Sequence, residues 1–226
     1  MAAHGIRHTR PVLNGQGERV VRIVCRLAAV AAFGLLSVPF ASAMDLTPEQ
    51  GQLFTSVSIN PPNAHQMTVC YGFGCRRRAM LDFSAADRRT LTHIMASGRA
   101  SAAAERMAIQ KAVVWFDRRV GPMIGTDKRV ANADIRAGSD ATNFDCFDTT
   151  RNAASLLLVL REWGLLKHHT VDNPRYRGNP FKLQLPHNTA VIRDNTTGVK
   201  WVVDMWPTKY AHVPDVMPLD RWLNES

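Results

Sequence analysis

The sequence predicts an α+β domain, with helices and antiparallel strands in separate stretches, and three observations carry that reading. Segments beginning near Ser84, Ser101 and Cys146 repeat apolar residues at helical spacing and stop at Gly98, Gly121 and Gly164. Residues 187–206 form two alternating runs around Asn195-Thr196-Thr197-Gly198, the pattern of a β-hairpin. Cys146 stands where a polar loop turns into the third helix, in Asp145-Cys146-Phe147-Asp148.

A chain of 226 residues suits one domain. Residues 1–43 read as a leader outside it. Arg19, Arg22 and Arg26 precede an apolar run from Leu27 to Phe40, and Ala41-Ser42-Ala43 offers small residues for cleavage, as in a secretory signal peptide. The run is shorter than the ~20 residues that span a bilayer. Residues 44–226 are therefore expected to be periplasmic or secreted, without stable membrane insertion. A start nearer Val20 would place the basic residues as a leader needs them, and Cys25 is not read as a lipid-attachment site. Without the leader, 23 of the 28 basic and 18 of the 19 acidic residues remain. That excess, partly in Arg76-Arg77-Arg78, reads as a solvated basic face. No nucleic-acid module accompanies it, so nucleic acid is not an expected partner. A dinucleotide or phosphate-cradling glycine motif is also absent, and no cofactor is expected.

Three cysteines remain after the leader. Cys70 and Cys75 enclose a short loop with two glycines and should pair in an oxidising compartment. Cys146 is then the odd thiol, in polar surroundings (Asn143, Asp145, Asp148, Thr149) that argue against inert burial. A thiol at a helix start gains from unpaired amides and the helix dipole, which favour the thiolate.

Residues 45–65 read as an extended, loosely packed lead-in. Gln66–Tyr71 and Ala79–Phe83 read as strands around the disulfide loop. Ser84, with Asp87 three residues on, starts a helix to about Ser97. A second helix spans about Ser101–Val120, where Gly121-Pro122 should stop it. The third helix carries Ala153, Leu156, Leu157, Leu160 and Trp163 on one face. Residues 168–186, with three prolines, read as a surface loop lining the site.

Parity fixes the hairpin. If Asp194 faces Val199 across the turn, Ala190, Ile192, Trp201, Val203 and Met205 share an apolar face. His187, Thr189, Arg193, Lys200, Asp204 and Trp206 share the other, with Val191 and Val202 among them. Asp204 then lies opposite Thr189, one diagonal step from His187 and within reach of a hydrogen bond.

At these residues the chain resembles the transglutaminase-like branch of the papain-like cysteine enzymes, above all the bacterial transglutaminase-like cysteine proteases. The matching pieces are Asp145-Cys146 at a helix start, the Leu160-Arg161-Glu162-Trp163-Gly164-Leu165 helix end, a strand beginning at His187, and Asp204-Met205-Trp206-Pro207-Thr208. The resemblance covers about residues 105–210. It implies a helix packed on an antiparallel sheet, with Cys146 as nucleophile, His187 as base and Asp204 as its orienter. The bacterial subgroup usually has an acid directly after the cysteine; here Phe147 intervenes before Asp148, and no calcium site is carried over. Asn143 or Trp115 could supply an oxyanion donor beside the Cys146 amide.

The expected activity is a thiol hydrolase, a peptidase or amidase acting on protein or peptide substrates through a thioester. A transglutaminase, a cell-wall peptide hydrolase and a catalytically silent peptide-binding module are the alternatives. His168, His169 and His212 lack a second pair of ligands for a metal site. Trp115, Trp163 and Trp206 read as core or cleft walls.

Overall fold

The computed structural model describes residues 1–2, 44–133, 138, 140–179 and 184–225; residues 3–43 of the expected leader lie outside them. Ala43–Ser226 forms one compact unit, which carries every element that follows. Its order is α1 (Pro48–Thr55), β1 (Gln66–Tyr71), β2 (Arg77–Asp82), α2 (Ala85–Ala96), α3 (Ala102–Ile124), α4 (Cys146–Glu162), β3 (His169–Asn179), β4 (Gln184–Asp194), β5 (Lys200–Val203) and α5 (Leu219–Asn224). Mixed helices and two small antiparallel sheets, β1-β2 and β3-β4-β5, make this an α+β fold. Among the described residues, no helix is long and apolar enough to cross a membrane.

The hairpin has the register that its apolar parity demands. Ala190 faces Val203, Ile192 faces Trp201, and Asp194 N–H donates to the Val199 carbonyl at 2.9 Å. Ala190, Ile192, Val203 and Met205 enter the main core beside Leu156, Leu157, Leu158 and Leu160 of α4. Val191 and Val202, on the other face, pack with Leu219 and Trp222 of α5. Each fully buried leucine of α4 contributes roughly 1.5–3 kcal/mol, so the helix and sheet hold one another in place.

The structure departs from the sequence reading in four places. Residues 48–55 are helical, because Thr47 and Gln50 form a capping box and Pro48 suits the first turn. Gln50 Nε2 then ties α1 to the Val171 carbonyl of β3 at 3.0 Å. Residues 169–179 form a strand where a loop was expected: β4 supplies its pairing partner, and Pro174 sits at a register shift between Asp172 and Arg175. Helix α4 is buried all round, from Asp148 to Leu160, where a single apolar face was expected. Last, α3 runs through Gly121-Pro122 to Ile124 and ends at Gly125, whose φ of 77° supplies the left-handed cap.

Gly121 survives inside α3 because Tyr210 packs where a side chain would be. A Cβ there would lie 2.4 Å from Tyr210 Cε2 and 3.2 Å from Asp127 Cα. Gly121→Ala should cost about 1–3 kcal/mol in urea unfolding, and adding Tyr210→Ala should return part of that loss. Equal stability of the single variant and the wild type would show that Tyr210 is not fixed there.

Candidate active site

Helix α4 begins on a pair of carboxylates. Asp145 Oδ1 accepts from Asp148 N–H at 2.7 Å, and Asp148 Oδ2 accepts from Asp145 N–H at 3.3 Å, closing a capping box around Cys146. Both carboxylates also reach the Cys70–Cys75 loop, whose two cysteines are joined by a disulfide. Asp145 Oδ2 accepts from Gly74 N–H at 2.8 Å. Asp148 accepts from Phe73 N–H at 2.8 Å and Cys75 N–H at 2.6 Å.

Those amides converge because Gly72, Phe73, Gly74 and Cys75 have φ of 73°, 68°, 66° and 59°. Successive left-handed residues turn their N–H groups to one side and make an anion-binding nest. Two of the four are not glycine, a conformation that costs of order 1–3 kcal/mol each and needs the disulfide and the carboxylates to hold it. Asn152, further along α4, exchanges two 2.8 Å hydrogen bonds with the peptide group of Cys70.

The clamp changes the thiol. Asp145 takes the Asp148 amide at the helix start, and the sulfur is buried beside negative charge. Burial first, then the charges of Asp145 and Asp204, push Cys146 up to about 11, against the pull of the Asn188 amide and its own. The resting group is a neutral thiol, contrary to the sequence expectation. Burial and the neighbouring Asp145 likewise raise Asp148 above the ordinary carboxylate range.

His187 and Asp204 meet as the register requires: His187 Nε2 lies 2.6 Å from Asp204 Oδ2, both side chains buried. A carboxylate only accepts, so Nε2 carries the proton and Nδ1 presents its lone pair. Among the described residues, Nδ1 has no hydrogen-bond partner, the Cys146 sulfur included. The backbone amide of Asn188, the residue after His187, favours the Cys146 thiolate. The imidazole packs against two indoles, with ring centroids 4.7 Å from Trp206 and 5.3 Å from Trp222.

The segment after Asp204 is fixed by a buried ion pair. Arg129 Nη2 donates to Asp117 Oδ2 at 2.6 Å, while Nη1 donates to the carbonyls of Met205 and Thr208. Trp206 N–H donates to Asp204 Oδ1 at 3.2 Å, and its indole N–H to the Ala133 carbonyl at 3.2 Å. Trp206 is thus a wall of the site. Trp163 packs against Phe83 and the core, and Trp115 also packs against the core.

Other candidates are engaged elsewhere. Asn143 accepts from Val130 N–H at 2.8 Å and donates to Asp140, so its amide is not a spare oxyanion donor. His169 Nδ1 pairs with buried Glu105 at 2.9 Å, and His168 Nε2 lies 3.0 Å from the Arg99 carbonyl. No group of three or more His, Cys, Asp or Glu among the described residues could hold a metal ion. Trp222 was not foreseen, because its sequence position gives no sign that α5 folds back onto Asp204. Comparison with family models, curated proteins and solved structures gave no match.

The thiol can be titrated directly, since Cys146 is the free cysteine among the described residues. Thiolate absorbance should rise with a midpoint near 11, and Asp145→Asn should lower it by removing a charge while keeping a cap. A raised folded-state pKa also means stability present below the thiol's unfolded pKa and lost as pH climbs through 11. Cys146→Ser should abolish that alkaline loss.

Proposed function

We propose that Cys146, His187 and Asp204 are the catalytic unit of an exported thiol hydrolase that cleaves protein or peptide amide bonds, arranged as in the transglutaminase-like cysteine proteases. The carrying observation is the buried His187–Asp204 pair whose second ring nitrogen is unpartnered among the described residues, with Asp204 and the Asn188 amide beside His187 both acting on the Cys146 thiol. The disulfide supports an oxidising compartment and so export.

A protonated resting thiol dictates the first step. His187 Nδ1 takes the Cys146 proton as the sulfur bonds to the substrate carbonyl carbon, and the imidazolium is balanced by Asp204. As the tetrahedral adduct collapses, the carbon–nitrogen bond breaks and His187 returns the proton to the leaving amine. Water, deprotonated by the same imidazole, then attacks the thioester; the acid leaves and the thiol is restored. An amine in place of water would make the same unit a transglutaminase.

The neutral thiol without a hydrogen bond to His187 favours a second reading, a silent module of the same fold that only grips peptides. Incubating exported-protein extract with wild type and variants separates the two by the new protein termini that appear. Cys146→Ser and His187→Ala should each reduce cleavage by about a thousandfold or more, because they act as one unit. Asp204→Asn should cost less, since Asp204 orients the imidazole without bonding to substrate. Termini identical for wild type and Cys146→Ser would favour the silent module.

A further inference from the structure

The acid of the candidate triad has a partner that the triad does not explain. Asp204 Oδ2 accepts from His187 Nε2 at 2.6 Å and from the Trp222 indole N–H at 2.9 Å. Trp222 is 1% exposed and belongs to α5, a short helix near the chain's end. Its placement is built from several sides. Val202 N–H donates to the Met217 carbonyl at 2.9 Å, and Asp204 and Asp215 exchange backbone hydrogen bonds of 2.9 Å, so residues 215–218 run beside β5 and deliver α5. Arg177, directly across from His187 in the β3–β4 register, lays its guanidinium 4.3 Å from the Trp222 ring centroid. The same guanidinium donates to the carbonyls of Trp222 and Glu225.

We propose that Trp222 is a positioning residue of the site: its indole N–H shares the Asp204 oxygen with His187 and so sets how firmly the His187–Asp204 pair holds a proton. This rests on the triad reading above. A donor to a carboxylate stabilises its ionised form and spreads its charge. With the indole in place, Asp204 holds the imidazole in one tautomer while its pull on an imidazolium is moderated, which leaves His187 able to return the proton to a leaving amine. The other charged or titratable groups around the pair are Asp215 beside β5, Cys146 at the start of α4, Arg177 on β3 and Glu225 after α5. None of them donates a side-chain hydrogen bond to Asp204 among the contacts described, so the indole contribution can be isolated by substitution.

Trp222→Phe keeps a ring and removes the N–H. In the full-length protein, the His187 ring titration followed by NMR should move upward from its wild-type position, with the fold retained. Trp222→Ala should shift it in the same direction and lower stability as well. A His187 titration in Trp222→Phe identical to the wild type overturns the proposal and leaves Trp222 as packing. If that variant does not fold, Arg177→Lys loosens α5 by removing the stacked guanidinium while keeping the positive charge across from His187; an upward shift supports the proposal and an unchanged titration overturns it. Iodoacetamide alkylation of Cys146 in wild type and His187→Ala separates the two levels. Indifference of the thiol to His187→Ala contradicts the triad reading, whereas an unchanged His187 titration contradicts the role of Trp222 alone.

Discussion

Two carboxylates held in a left-handed turn fix the position of the candidate nucleophile. Asp145 and Asp148 accept the Phe73, Gly74 and Cys75 amides, and in the same geometry cap the helix that starts with Cys146. Each half offsets a cost of the other. The turn places two non-glycine residues at positive φ, and the carboxylates are buried close to each other. Joined, the nest neutralises the acids, the acids satisfy the nest, and the disulfide closes the loop around them. Leu156 to Leu160 then press α4 against the sheet, so the thiol and the His187 strand are positioned by one packed core.

That solution carries an electrostatic consequence. A helix start would ordinarily favour a thiolate, but here the helix end is already occupied by negative charge, and Cys146 stays protonated. The chemistry therefore depends on a base with a free lone pair. His187 has one because Asp204 fixes its tautomer, and Asp204 in turn is held by Trp206, Trp222 and the Arg129–Asp117 pair behind the following segment. Acidic anchors at the nucleophile thus make the His187–Asp204 pair necessary to any hydrolase reading.

The hairpin register was legible because Ala190, Ile192, Trp201, Val203 and Met205 fall on one face while the charged residues fall on the other, with Val191 and Val202 the exceptions, and a one-residue slip would bury Arg193 and Lys200. The start of α4 was legible for a similar reason, since Asp145 and Asp148 have capping-box spacing. What the sequence concealed was tertiary. Strand β3 is polar and broken by Pro174, so its character comes from pairing with β4. Helix α3 runs past Pro122, and the glycine before it admits Tyr210 from far along the chain. The carboxylates that flank Cys146 with negative charge are held in place by amides some 70 residues earlier. The start of α1, by contrast, is local, for Thr47, Pro48 and Gln50 spell out its cap.

The most direct measurement is intact-protein mass spectrometry after rapid mixing with a peptide thioester and acid quenching. The account predicts a peptidyl adduct on Cys146 in the wild type, sharply reduced in His187→Ala and absent in Cys146→Ser. Adduct formation at equal rates with and without His187, or none at Cys146 with any peptide, would contradict it.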